Sequence, residues 1–420
     1  MHFLKIVLYF SGLLKYTDYM QYVIIGNGVA GVTAALNIRK FDDAGEIVVI
    51  TDEDIPFYSR MRLPEYLSDS VTETKLILFN DTWYEGHNIR LATNRRVLSL
   101  DVIKKQVILD NRTSITYDKL LLATGGRASM PPLQGSDLAG VFTLRNVSDA
   151  RKIKQYAKNI REAIILGGGV LGLEIGNALQ KISKSVTIVE FFPRLLPRQM
   201  DDAGSLVFRM KLESLGLRFI LNARAEEVLG RDSAAGLRLG DKTILSGQML
   251  VISAGVTPNT SILADSGLTL NRGVPVNDRM ETGLPDIYAA GDAAEHRNRN
   301  YGIWPAAEKQ GEVAGINMAG GNALYEGTIP SNSITVAGIE VISFGDIDVD
   351  CTMPSLQYKN EESGIYRKLV VKDNCVAGCI LCGDMSGRKE IMSAIREKQP
   401  ISAVQQIADS LKLKWMPSQK

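Results

Sequence analysis

The sequence predicts an α/β fold: two doubly wound parallel sheets, the first interrupted by the second, followed by a small α+β domain. Three observations carry this reading. From Gln21 onward apolar strands alternate with helical stretches, the pattern of parallel βαβ units. A glycine-rich turn of one design occurs twice, far apart, each time between a strand and a helix. Past Pro330 the pattern changes to alternating strand-like runs with hairpin turns. With 420 residues the chain is long enough for two or three such cores.

The first unit reads as strand 22–25, turn, helix 30–40 and strand 46–51. Its turn carries Gly26, Gly28 and Gly31, with Ala30 before the last glycine. The second reads as strand 164–166, helix 172–182 and strand 186–190, with Gly167, Gly169 and Gly172 in the turn. Met130-Pro131-Pro132 and the glycines that follow mark one crossing between domains, and Ser253 to Asn259 mark the return. The expected organisation is an N-terminal extension over 1–19, a first domain over 20–129, an insert over 130–255, the rest of the first domain over 256–329, and a third domain over 330–420. Within 1–14 a lysine interrupts a short apolar stretch, too short to span a bilayer and followed by no small-residue cleavage site. Met20 is the expected start of the fold.

Composition narrows the field. Formal net charge is +1 and no block of like charge stands out, so nucleic acid and membrane are excluded as expected partners. The four cysteines, Cys351, Cys375, Cys379 and Cys382, are too few and too localised for a secreted disulfide framework, which points to the cytoplasm.

The turns carry the chemistry. G-x-G-x-x-G between a strand and a helix places a pyrophosphate over the free N–H groups of the helix start. One match is weak; two in one chain indicate two dinucleotides and electron transfer between them. The acidic residue ending the second strand of such a unit accepts from the adenosine ribose. In the second unit that is Glu190, which would repel a 2′-phosphate and so favours NAD(H) over NADP(H), with Arg194 as the counter-indication. In the first unit it is Glu53, with Asp52 as competitor.

With these motifs the chain resembles the FAD-dependent pyridine-nucleotide oxidoreductases, and within them the NADH–rubredoxin reductases, ferredoxin reductases and nitrite reductase flavin domains. Both glycine turns carry the resemblance, with 117–125, which ends in Thr124-Gly125, and 282–292, which ends in Gly291-Asp292. It implies FAD and NAD(H) as cofactors. It further implies that Asp292, Thr124, Gly125, Arg60, Val97 and Arg145 contact FAD and that Gln310 opens a helix beside its ring. Gly255 falls in the return crossing beside the cofactors. Glu174 matches a glutamate near the contact between the two reacting rings. Relatives pair that glutamate with a lysine, whereas Glu65 stands at the matching position here.

Absences matter equally. Relatives that reduce disulfides or peroxide carry a redox cysteine in the first domain; Met61 stands at the single-cysteine position, and a thioether cannot cycle through a mixed disulfide. No histidine lies in the third domain to serve a thiol, since His2, His87 and His296 all precede it. Cys379 and Cys382, an odd number apart on a return strand, cannot converge on one metal. Those two and Cys375 are read as small buried thiols, with no metal. The expected activity passes electrons from NADH through FAD to a small redox protein (rubredoxin, a ferredoxin or a partner reductase), in a monomer or homodimer. The alternatives are an NADH oxidase or small-molecule reductase, and an NADH-responsive assembly protein.

Overall fold

The computed structural model describes residues 19–264 and 266–418, together with the backbone of residues 6–7 and 15–16. The expectation of an appended segment over 1–19 falls almost wholly outside the described residues, apart from an antiparallel pairing of Ile6–Val7 with Lys15–Tyr16. The chain forms two compact units. The first comprises residues 1–59, 77–127 and 256–328; the second comprises 60–76, 128–255 and 329–420.

In the first unit, β1 (Gln21–Ile25), α1 (Val29–Phe41), β2 (Glu46–Ile50), β3 (Ile89–Ala92) and β4 (Lys119–Leu122) build a parallel sheet with the later strand Ile287–Ala289. The order is Ile287–Ala289, β4, β1, β2, β3. Both faces of β1 are buried, as a parallel sheet covered on both sides requires. Tyr22 and Ile24 enter one apolar cluster, Val23 and Ile25 the other. The helix Trp304–Met318 lies directly on α1. A Cβ on Gly311 would come 2.4 Å from Ala30 O, and one on Gly315 would come 2.5 Å from Ala34 O, so the two backbones touch through small residues.

The second unit repeats the plan with β5 (Val141–Thr143), β6 (Glu162–Leu166), α2 (Val170–Lys181), β7 (Ser185–Val189), α3 (Asp202–Ser214), β8 (Arg218–Ile220) and β9 (Met249–Ile252). Its order is β5, β9, β6, β7, β8, all parallel. Residues 60–76 pack here, although they lie within the stretch 20–129 in sequence. Arg151 bonds Glu73 at 2.5 Å and Lys154 bonds Asp69 at 2.6 Å, which anchors the segment to the helix Val147–Ala157.

The same unit ends in a six-stranded antiparallel sheet. It contains β10 (Ser331–Val336), β11 (Ile339–Gly345), β12 (Ser355–Asn360), β13 (Ile365–Lys372), β14 (Cys375–Cys382) and β15 (Lys414–Met416), in the order β10, β11, β14, β13, β12, β15. The expected hairpin turn is present, with Asp373 and Asn374 both at positive φ. Cys379 lies in the apolar cluster under this sheet, while Cys382 Sγ faces Gly364 O at 3.8 Å. Cys375, expected to be buried, is only half-buried, because it starts its strand beside that turn. Among the described residues no helix is long and apolar enough to cross a membrane.

Candidate functional site

Each glycine turn is locked by the same three contacts. Gly26 N–H donates to Ile50 O and Gly167 N–H to Val189 O, both at 2.8 Å, so each turn starts against the strand beside it. Both residues need glycine: φ is +113° and +123°, and a Cβ would lie 2.0 Å from Ala123 O in one case and 2.3 Å from Ser253 O in the other. A Cβ on Gly31 or Gly172 would meet the first glycine's carbonyl oxygen at 2.0 Å, so the helix packs hard on its own turn.

The middle glycines differ. Gly28 and Gly169 have ordinary extended φ values of −96° and −79°, and nothing lies within 4 Å of a Cβ built on either. No protein atom requires glycine there. The open space lies in front of the first N–H groups of α1 and α2, which have no acceptor within their own helix and receive no side-chain cap, where a pyrophosphate would sit. Both turns therefore fit a dinucleotide. Gly255, with φ +100°, likewise has nothing within 4 Å of its Cβ position.

Around the first turn, the structure gathers several residues singled out from the sequence. Asp292 lies in the 3₁₀ turn Gly291–Ala293, and a Cβ on Gly291 would be 3.1 Å from that of Ala30, so this turn abuts the start of α1. Gln310, fully buried, accepts the Gly291 N–H on Oε1 at 2.9 Å and holds it in place. Thr124 and Gly125 end β4 and are clasped by Asn259, a residue the sequence reading passed over. Thr124 donates its hydroxyl to Asn259 O at 2.7 Å, Asn259 Nδ2 donates to Thr124 O at 3.0 Å, and Asn259 N–H donates to Gly125 O at 2.9 Å. Asn259 is the last residue of the return crossing, and that position is the local sign of its role. Asn27, within the turn, accepts from the buried Tyr84 hydroxyl at 2.7 Å. Glu53, just past β2, accepts from Tyr58 at 2.6 Å, while Asp52 is exposed. Val97 starts the strand Val97–Asp101 of a separate three-stranded sheet.

Arg60, Arg145, Glu174 and Glu190 belong to the second unit. Arg60 Nη1 donates to Arg145 O at 3.1 Å. Glu190, 6% exposed, accepts Gly168 N–H at 2.5 Å and Phe192 N–H at 2.8 Å. Arg194 is bonded to Asp202 at 2.9 Å, so the counter-indication to NAD(H) is engaged elsewhere. Glu174 projects from α2, which packs against the short helix Leu63–Leu67. Burial first, and the charge of Glu65 second, push its carboxyl up to about 7. Glu65 is itself bonded to Arg62 at 2.9 Å, so no cation compensates Glu174 from that position. Met61, at the place a thiol would occupy, is 64% exposed.

Comparison with known proteins agrees with this geometry. The family model described as "Pyridine nucleotide-disulphide oxidoreductase" matches residues 20–311, and that of the "Rubredoxin NAD+ reductase C-terminal domain" matches 330–399. The chain is 36% identical over 393 residues to a protein of Bacillus subtilis named nitrite reductase [NAD(P)H], covering 92% of this chain and 48% of that one. Similarity is also found to the NADH-rubredoxin oxidoreductase of Clostridium acetobutylicum, 34% identical over 376 residues, covering 89% of this chain and 93% of the relative. The crystal structure named NADH:rubredoxin oxidoreductase from that organism aligns with TM-score 0.78 and 31% identity over 94% of this chain and all of that one. A protein of Methanocaldococcus jannaschii named NADH oxidase is 30% identical over 337 residues, covering 77% of this chain and 75% of that one. The chain spans about half the length of the two Bacillus subtilis relatives it matches, the second being an assimilatory nitrate reductase electron transfer subunit. On the two glycine turns, the two parallel sheets and the match over most of its length, the chain belongs to the pyridine nucleotide-disulphide oxidoreductase family, with FAD and NAD(H) as its cofactors.

Proposed function

We propose that the protein oxidises NADH and passes the electrons through FAD to a small redox protein such as a rubredoxin, a ferredoxin or a partner reductase, in the cytoplasm. The observation that carries this reading is the pair of open spaces at Gly28 and Gly169, in a chain whose first cysteine occurs only at residue 351. The chemistry that bound FAD would supply is acceptance of a hydride from NADH and release of electrons to an external carrier.

The chain's own residues do the positioning. Gly28 and the N-terminus of α1 would hold the FAD pyrophosphate, Asp292 and the Thr124–Gly125 turn would contact the rest of the flavin, and Glu53 would take its ribose. Val97 would add a contact to the same cofactor, while Arg60 and Arg145, proposed from the resemblance alone, stand in the second unit. Gly169, Gly172 and the N-terminus of α2 hold the NADH pyrophosphate, and Glu190 shapes the turn and takes the adenosine ribose. Glu174 positions the nicotinamide. Hydride transfer between bound cofactors would depend on positioning rather than on proton transfer, so it would need no acid–base pair from the chain. The chain is organised for this as an FAD domain over 20–129 and 256–329, an NAD(H) domain over 130–255 and a third domain over 330–420.

Mixing the anaerobic holoprotein with NADH tests the reading. Flavin absorbance should bleach within a second and return when rubredoxin or ferredoxin is added. Failure to bleach would overturn it. Sustained aerobic NADH consumption with no carrier present would instead favour a second reading, an oxidase, to which the similarity to the Methanocaldococcus jannaschii NADH oxidase lends support.

A further inference from the structure

A buried charged cluster in the second unit has no part in the chemistry described so far. Lys368 and Asp201 are fully enclosed, with Nζ 3.1 Å from Asp201 Oδ2. Tyr366 donates its hydroxyl to the same oxygen at 2.6 Å, and Lys368 Nζ also donates to Asp348 O at 2.7 Å. On the half-buried edge of this cluster sits Cys351. Its Sγ lies 3.4 Å from Lys368 Nζ and 3.7 Å from Asp201 Oδ2.

The loop that presents the thiol is fixed. Asp348 accepts Thr352 N–H at 3.0 Å, the Thr352 hydroxyl at 2.8 Å and Met353 N–H at 2.7 Å. Asp348 and Cys351 both adopt left-handed backbone, with φ of 46° and 54°. A thiol, a primary amine and a carboxylate are therefore held in mutual contact, with the thiol on the open side. Burial pushes the Cys351 thiol up, which argues against a fast general nucleophile. The geometry suits a slower reaction in which the amine captures an oxidised sulfur.

We propose that Cys351 and Lys368 form a reversible covalent bridge under peroxide. The thiol sulfur attacks hydrogen peroxide, the O–O bond breaks, and a sulfenic acid and water result. Lys368 passes a proton to Asp201 Oδ2, and its nitrogen attacks the sulfur. The S–N bond forms, the S–O bond breaks, and the departing hydroxide leaves as water with a second proton from the nitrogen. Thiol, amine and one peroxide give a sulfenamide and two waters; sulfur loses the two electrons that peroxide gains.

The bridge replaces a buried ammonium by an uncharged nitrogen. Asp201 then loses its ion pair at the point where it caps α3 by accepting Gly204 N–H at 2.9 Å. Oxidation thus replaces the ion pair between the start of α3 and β13 by a neutral contact, because the ammonium proton moves to Asp201. This inference does not rest on the proposed NADH chemistry.

Peptide mapping of the peroxide-treated holoprotein, digested without reductant, tests it. The expected product joins the Cys351 and Lys368 peptides at a mass two hydrogens below their sum, disappears with dithiothreitol, and is absent from Cys351→Ser. The melting midpoint should shift on oxidation, return with reductant, and stay unmoved in Cys351→Ser. Cys351 found as sulfinic acid with Lys368 still cleaved by trypsin would overturn the proposal. So would an unmodified Cys351 at peroxide levels that oxidise the exposed Met61, or a joined pair retaining an extra oxygen.

Discussion

Glu190 reaches back across the second glycine turn to take the Gly168 N–H on Oε2 at 2.5 Å, so the residue proposed to select the nicotinamide cofactor also shapes its own glycine turn. Its other oxygen takes the Phe192 N–H at 2.8 Å. Removing the carboxylate leaves two backbone donors without their acceptor, each worth about 1–3 kcal/mol. Glu190→Ala should raise the KM for NADH about 10–100-fold while kcat changes little, since binding and not the reacting contact is lost. Glu190→Gln, which keeps one acceptor, should fall between. Steady-state kinetics with NADH and NADPH side by side would check both.

The glycines separate by role. Gly28→Ala meets no protein atom within 4 Å, so it should cost well under about 1 kcal/mol in the cofactor-free chain yet abolish FAD retention, read as flavin absorbance per mole of purified protein. Gly31→Ala places its Cβ 2.0 Å from Gly26 O and should instead destabilise the chain itself by roughly 2–4 kcal/mol in urea unfolding. Equal behaviour of the two variants would refute the assignment.

Glu174 gives stability a particular pH dependence. Unfolding returns its carboxyl from about 7 to the ordinary 4.5, so across that window the folded chain keeps a proton that the unfolded chain releases. Stability therefore falls as pH rises from roughly 4.5 to 7 and levels off above. Glu174→Gln removes this titration. It should be more stable than the parent at pH 8, by up to about 3 kcal/mol, and nearly equal to it at pH 4.5. Thermal melts at both values decide the matter; a gain at pH 4.5 as large as at pH 8 would rule out this origin.

The thiols should divide by burial. Cys379 and Cys382 are enclosed, and burial pushes both up to about 12, so a maleimide at pH 7 should leave them unlabelled in the native protein. Cys351 and Cys375, half-buried, should label first. In urea all four should react, as mass spectrometry would show.

How far the sequence discloses this molecule depends on the range of each interaction. The two βαβ units, their turns and the Asp373–Asn374 hairpin were legible because glycine, alternation and turn residues act within a few positions. Glu53 was ranked above Asp52 by place alone, and its bond to Tyr58 was not foreseeable. The packing of residues 60–76 with the second unit depends on Arg151 meeting Glu73, 78 positions away, and no local pattern announces that. Lys368 is the clearest failure of local reading. A lysine in a strand reads as solvent-facing, yet this one is fully buried because Asp201, supplied from the distant start of α3, balances it. Glu174 was placed by motif, but its raised carboxyl needed the fold to enclose it.

The contact of α1 with the helix Trp304–Met318 reaches further than packing. Because Ala30 meets Gly311 and Ala34 meets Gly315 at backbone distance, a slide of either helix by even one residue is sterically barred. Through Gln310 and Gly291 that same interlock sets where Asp292 stands against the opening of α1. Positions 30, 34, 311 and 315 thus act as a ruler: a single added methyl group at Gly311 or Gly315, with every chemical group of the pocket intact, would displace the carboxylate and empty the pocket of its flavin.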